Sequence, residues 1–220
     1  MVQVIVVYSG GMDSYTLINK AIQEGHEVQA ISFDYGQKHK KELLFAKNFC
    51  ETSRIEHEIV DITSIKNLLK GSALTDDIAI PQGGYADNSM KLTIVPNRNM
   101  ILISMAIGYA VSSNANEVWF GAHSGDHVIY PDCRPEFVEK MNALSLISDY
   151  QPISVKAPFI DLSKSEILSK GLEMNLDYSK TWTCYEGKDL ACGLCGSCNE
   201  RLEAFRENNL DDPLEYYVSS

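Results

Sequence analysis

The N-terminal strand and its abrupt stop constrain the fold more than any other feature. Residues 2–8, Val2-Gln3-Val4-Ile5-Val6-Val7-Tyr8, are a short β-branched run that ends at Ser9-Gly10-Gly11, and helical spacing follows from Ser14 to Glu24. An apolar run of this length reads as a strand buried on both faces, the kind found in parallel sheets. Leu17, Ile18, Ala21 and Ile22 share one face of the helix, and Gly25 closes it. The unit then repeats: a strand over Glu27 to Phe33, a helix over Lys40 to Thr52 through Leu43, Leu44, Ala46 and Phe49, and a strand over Ile55 to Ile62. Strand–helix alternation of this kind requires right-handed crossovers, so the fold class is α/β: a doubly wound, mostly parallel sheet with helices on both faces.

Further elements follow a break. Residues 70–95 are rich in Gly, Asp and Pro and lack periodicity, as a lid or a variable insertion would be. A helix over Asn99 to Ser113, a strand over Glu117 to Gly121, a helix from Pro135 to about Ile147, a strand near Ile153 to Ala157 and a helix over Ser163 to Lys170 complete the α/β part. From about Asn175 the pattern changes, giving an expected nucleotide-binding α/β domain over 1–174 and a cysteine-rich region over 175–220. A chain of 220 residues with 45% hydrophobic and 22% charged residues can bury such a core.

Residues 99–116 carry no charge, but Ser104, Gly108, Ser112, Ser113, Asn114 and Asn116 interrupt them, so a buried core helix is expected there and no membrane span. The N-terminus has neither a basic leader nor a small-residue cleavage site. The formal charge of −11, from 19 basic and 30 acidic residues, argues against a protein that coats nucleic acid, because such binding rests on phosphate neutralisation. An anionic small substrate stays compatible with that charge if local dipoles and cations bind it.

Chemistry concentrates at three places. The first is Ser9-Gly10-Gly11-Met12-Asp13-Ser14. Its glycines let backbone amides approach a ligand, and the following helix adds its positive dipole end, so an anion is favoured there. Ser9 and Ser14 can donate hydroxyl hydrogen bonds, and Asp13 suits a magnesium ion. Neither a Walker-type lysine loop nor a Gly-x-Gly-x-x-Gly follows the strand. The plainer alternative is a tight turn with Asp13 or Ser14 capping the helix.

The second is Cys184-x7-Cys192-x2-Cys195-x2-Cys198, four thiolates in fifteen residues, with Gly187, Gly193 and Gly196 among them. Four sulfurs close a tetrahedral zinc ion of structural role, in the reducing surroundings of a cytoplasmic protein. An iron–sulfur cluster is the alternative, although no Cys-Pro follows. Cys50 and Cys133 stand apart from the cluster, and Cys133 reads as a structural thiol with a nucleophile as the alternative.

The third is a set of polar loops after the strands, where open α/β sheets bind ligands. They are Phe33-Asp34-Tyr35-Gly36-Gln37-Lys38-His39, Val95-Pro96-Asn97-Arg98-Asn99, and residues 121–137 with His123, Asp126, His127, Tyr130, Asp132 and Arg134. Arg98, opening a helix, can meet phosphate or carboxylate as a fork.

The hexapeptide at 9–14 resembles the phosphate loop of the ATP-pyrophosphatase (PP-loop) superfamily. With Phe33-Asp34-Tyr35-Gly36-Gln37, Val95-Pro96-Asn97-Arg98-Asn99, Tyr130-Pro131-Asp132-Cys133-Arg134 and Thr183-Cys184-Tyr185 plus the later cysteines, the chain resembles the 7-cyano-7-deazaguanine synthase family from about residue 2 to about 205. Met12 and Asn97 depart from its usual residues, Asn97 standing where glycine is common. The resemblance implies an adenine nucleotide alpha hydrolase-like fold and an ATP-dependent carbon–nitrogen ligase of queuosine precursor biosynthesis. Its reaction joins 7-carboxy-7-deazaguanine and ammonia into the nitrile through an activated carboxylate and an amide. It implies ATP binding, with Mg2+, by Tyr8, Ser9, Gly10, Gly11, Met12, Asp13, Ser14, Tyr15, Thr16, Leu17 and Ile18, and zinc ligation by Cys184, Cys192, Cys195 and Cys198. The residues expected to act on substrate are Asp13, Arg98, Asp126 and Arg134. Its partners are small molecules, with no nucleic acid or membrane, and a homodimer is compatible with the sequence. The competing functions are a tRNA-thiolating enzyme of the same superfamily and a non-catalytic nucleotide-binding zinc module.

Overall fold

A computed structural model describes residues 2–84 and 88–217, apart from the side chain of Asn88. The expected loop residues 85–87 and the end of the C-terminal region, 218–220, lie outside the described residues. The β-branched runs form strands β1 (Gln3–Val7), β2 (Glu27–Asp34), β3 (Glu56–Asp61), β4 (Glu117–Trp119) and β5 (Ser154–Lys156). They make one parallel sheet in the order β3-β2-β1-β4-β5. β1 pairs with β2 from Gln3↔Glu27 to Val7↔Ile31, and with β4 from Val4↔Glu117 to Val6↔Trp119. The chain winds outward from β1 to β3, then returns to β4 on the other side of β1. The C-terminal ends of β1 and β4 therefore flank the switch point, where such sheets open a crevice.

Helices α1 (Met12–Gln23), α2 (Lys41–Ser53), α3 (Arg98–Ser112), α4 (Pro135–Ser145), α5 (Lys164–Glu173) and α6 (Gly196–Glu207) cover the sheet. Side-chain alternation along β1 splits the core. Ile5 faces Leu102, Ile103 and Ala106 of α3 and Met141 of α4, whereas Val4 and Val6 face Leu17, Ile18 and Ala21 of α1 and Ile167 and Leu168 of α5. Tyr178, Ala204 and Phe205 join this second cluster, so α6 docks on the α/β core. Trp182, Ala191 and three of the clustered cysteines form a small third cluster.

Several sequence expectations need adjustment. Ile22 and Leu44, placed on inward helix faces, are 43% and 61% exposed, because each helix offers the sheet a narrower stripe than its apolar spacing suggests. The same holds for α3, which buries Leu102, Ile103, Ala106 and Ala110 while Met100 and Met105 reach solvent. No helix among the described residues is long and apolar enough to cross a membrane. The 70–95 region is not wholly irregular, since short 3-10 turns occupy Asn88–Thr93 and, just before it, Thr63–Leu68. Pro135 stands at the first turn of α4 as expected, and Ser163 caps α5 in a box with Glu166.

The turn out of β1 is the tightest point of the fold. Gly10 has φ +88°, and a Cβ there would lie 2.2 Å from the Glu42 carbonyl oxygen of α2. Its own carbonyl accepts from the Trp182 amide at 3.0 Å, joining the turn to the cysteine-rich region. Gly10→Ala therefore meets both a left-handed backbone and a hard backbone contact. We expect it to destabilise the protein by about 2 kcal/mol or more, read by urea denaturation.

Candidate active site

The loop after β1 turns back into α1 through its own hydroxyls. Ser14 Oγ accepts from the Ser9 amide at 3.2 Å, lies 3.1 Å from Ser9 Oγ and donates to the Gly11 carbonyl at 3.1 Å. Gly11, in extended conformation, is the N-cap of α1 without side-chain help, so neither Asp13 nor Ser14 caps it. The amides of the first turn have no carbonyl within the helix to bond, and they stand beside a cleft.

That cleft opens at the switch point, as the strand order requires. It is half open to solvent, bounded by the strand ends below and by helices α1, α2 and α3 at its walls. Its floor is made by residues at the strand ends, Tyr8 and Ser9 after β1, Ser32 and Phe33 in β2, and Phe120, Gly121 and Ala122 after β4. Asp13, Ser14, Asp126, Arg98, Asn99, Glu42 and His39 bring polar groups to its walls.

Below Asp13 lies a buried charge network. Lys164, the first residue of α5, places Nζ 3.1 Å from Asp13 Oδ2 and 2.6 Å from Glu200 Oε2 on α6. His123 Nε2 sits 3.6 Å from Asp126 Oδ2 and 3.9 Å from both Asp13 Oδ2 and Glu200 Oε1. Burial alone would raise the Asp13 pKa, but the Lys164 ammonium and His123 outweigh it and hold the carboxyl below its ordinary value. Burial likewise opposes the Lys164 charge, which Asp13 and Glu200 restore, keeping the ammonium protonated. Asp13 Oδ1 is buried with no hydrogen-bond partner.

The four clustered cysteines converge. Their sulfurs all lie within 4.8 Å of one another, and Cys192 Sγ is 3.9 Å from Cys198 Sγ. Tetrahedral coordination at about 2.3 Å per Zn–S bond needs sulfurs about 3.8 Å apart. Amides of Glu186 and Cys192 donate to Cys184 Sγ, and those of Leu194 and Cys195 to Cys192 Sγ, at 3.3–3.4 Å. Donors aimed at sulfur favour the thiolate form that a metal requires.

With fold and site in place, comparison with known proteins is decisive. Residues 3–209 match the family described as "Queuosine biosynthesis protein QueC". The chain belongs to that family. It is 60% identical over 213 residues to the 7-cyano-7-deazaguanine synthase of Alteromonas mediterranea, covering 97% of this chain and 98% of that protein. It is 58% identical over 214 residues to the synthase of Pseudoalteromonas translucida, with the same two shares covered. Among solved structures, the U34-tRNA thiolase NcsA from Methanococcus maripaludis with its [4Fe-4S] cluster superposes with a TM-score of 0.51 at 16% identity, covering 94% of this chain and 67% of that one. A 4-thiouridine synthetase–RNA complex with bound ATP gives 0.51 at 16%, covering 78% and 40%. Those two likenesses establish the shared fold.

The predicted residues of this QueC-family chain divide by position. Tyr8, Ser9, Asp13, Ser14, Arg98 and Asp126 line the cleft. Gly10 and Gly11 shape its turn, while Met12, Leu17 and Ile18 are buried in the core, Tyr15 packs on Phe49, and Thr16 bonds the Tyr178 hydroxyl at 2.7 Å. Met12 therefore packs in the core and does not line the cleft. Asn97 starts α3 with φ +53°, the left-handed region in which asparagine best replaces glycine. Arg134 is not brought to the cleft. It is exposed and its Nε donates to the His127 carbonyl at 2.9 Å, which fixes the preceding loop. Cys133 borders the cleft with Asn99 Nδ2 at 3.1 Å, and burial pushes its thiol pKa up, as suits a structural thiol. Burial also pushes the Cys50 thiol up to about 12.

Sequence reasoning missed Lys164, Glu200 and Glu42. The first two carry a weak signal: a lysine opening a capped helix, and an acid two residues past a metal-type cysteine. Glu42 carries none, being one acid in a basic stretch. Burial raises its pKa to about 7, although Arg98 acts in the opposite direction. Unfolded, it would lose its proton near 4.5, so the stability of the neutral form is present below about 4.5 and lost as pH rises to about 7. Glu42→Gln should then be more stable than the parent by up to about 3 kcal/mol at pH 8 and nearly equal at pH 4.5 in urea denaturation.

Proposed function

We propose that the protein is a 7-cyano-7-deazaguanine synthase that uses ATP to convert 7-carboxy-7-deazaguanine and ammonia into the nitrile. The observation that supports this best is full-length similarity to proteins bearing that name, combined with a phosphate-type loop on the cleft it predicts. A carboxylate is a poor electrophile and must first be activated. We assign ATP to the loop at 9–14, with attack on the α phosphate and pyrophosphate leaving. Ammonia then displaces AMP to give the amide, and a second activation, of the amide oxygen, allows loss of that oxygen to form the nitrile.

Chain residues take defined parts in this scheme. The α1 amides and the hydroxyls of Ser9 and Ser14 receive phosphate oxygens. Asp13 Oδ1, buried and unpartnered, fits a magnesium ion carried by ATP, while Oδ2 is held by Lys164. Arg98 opens α3 at the cleft wall and offers its guanidinium to the carboxylate or the phosphates, and Asp126 positions His123 beside Asp13. Phe33, Phe120 and Ala122 on the floor would limit access of water to the activated acid. We assign zinc to the four cysteines. It would hold the region from 175 onward in shape, against the α/β part over 1–174, and supplies no chemistry to substrate.

Incubation of the purified protein with 7-carboxy-7-deazaguanine, ATP and ammonium, followed by mass spectrometry, should show the nitrile. Its absence would contradict the assignment, as would a preparation whose metal is iron. Arg98→Ala should lower turnover by about 100-fold, and an unchanged rate would remove Arg98 from the mechanism.

A further inference from the structure

One wall of the cleft is unused by the phosphate chemistry. Glu42, in the first turn of α2, lines it with a side chain only 17% exposed. Among the described residues its one ion-pair neighbour is His39, whose Nε2 lies 3.9 Å from Oε1. Burial lowers the His39 pKa to about 4. His39 is itself 3% exposed, and its Nδ1 has no hydrogen-bond partner. Tyr35, Tyr130 and Tyr185 line the cleft beside this pair, the Tyr185 ring 5.4 Å from that of His39. Gln37 hydrogen-bonds the Glu42 carboxyl and the Arg98 guanidinium acts on it within the cleft, yet burial outweighs both. A buried acid set among flat aromatic surfaces therefore still gains from a ligand that satisfies it.

We propose that Glu42 reads the donor edge of the substrate ring: its two oxygens accept the lactam N–H and the exocyclic amino group of a 2-aminopyrimidin-4-one, stacked among the tyrosines. The proposal rests on the function assigned above and names the residue that selects a guanine-like base. The chemistry singles out that edge. An ionised carboxylate only accepts hydrogen bonds, and a guanine-type ring presents two adjacent donors that match it. Adenine places an acceptor nitrogen beside its amino group, so the same carboxylate would face a lone pair. Glu42 thereby disfavours the adenine base at the substrate position. Binding two donors also favours the ionised carboxylate, so substrate affinity should increase between pH 6 and 8.

The test compares dissociation constants, by calorimetry on the full chain with its native metal, for 7-carboxy-7-deazaguanine and for the analogue lacking the 2-amino group. The parent protein should prefer the amino compound by about 100-fold or more, because the analogue leaves a buried acceptor unpaired. In Glu42→Gln the preference should fall to within about 3-fold, almost entirely through weaker binding of the amino compound, with ATP affinity unchanged. Unchanged ATP affinity certifies the fold of the variant. Preference retained in Glu42→Gln overturns the proposal. So does equal weakening of both ligands, or a loss confined to the Michaelis constant for ammonium, which would make Glu42 the ammonia site. The proposal and the assigned function fail separately. A preference that depends on Glu42 in a protein that makes no nitrile overturns the function and leaves the base-reading site standing. Nitrile formation with no such preference does the reverse.

Discussion

The Lys164 ammonium is the interaction on which the site depends. One buried cation joins the phosphate loop through Asp13 to the helix that follows the cysteine cluster through Glu200, with His123 of the loop after β4 against both acids. A buried charge of this kind is stable only when fully paired, and removal of any member leaves another uncompensated. The network therefore sets four chain segments in one register. Asp13 gains a fixed orientation, with one oxygen committed to the lysine and the other turned free.

This arrangement gives the cysteine cluster a function at a distance. Cys195 caps α6, Cys198 lies in its first turn, and Glu200 follows on the same helix. Arg201, fully buried, pairs with Asp212 at 2.7 Å and bonds Thr181 at 2.6 Å and the Tyr178 carbonyl at 3.0 Å, holding the chain just before Trp182. The Trp182 amide in turn bonds Gly10. A metal gathering the four sulfurs would thus shape both ends of the support beneath the phosphate loop. In this strongly acidic chain Lys164 offsets part of the acid cluster beside the loop, and the proposed binding of anionic ligands would rest on loop amides and Arg98.

Much of the fold was legible because it rests on local periodicity. Val4 to Val7 ending at Gly10 announced a buried strand and a sharp turn, and the same pattern placed β2 and β3. The helix faces were less legible, since Ile22 and Leu44 have inward spacing but remain exposed. The phosphate loop and the cysteines could be read because each concentrates its chemistry within fifteen residues or fewer. Lys164 and Glu200 carried only a weak signal, because their roles arise when the chain after β5 packs α5 against α1 and α6 against α5. Arg134 shows the converse: its motif was distinctive, yet its guanidinium is committed to the His127 carbonyl and lies outside the cleft.

The central claim is that the cleft activates a carboxylate on the α phosphate of ATP, at the loop held by Lys164. Tracing 18O from a doubly labelled 7-carboxy-7-deazaguanine into the phosphate products by mass spectrometry addresses it directly. Two activations at the α phosphate predict that both labels leave in AMP, one in each of two molecules per nitrile formed. Label appearing in orthophosphate, with ADP as the nucleotide product, would contradict the account.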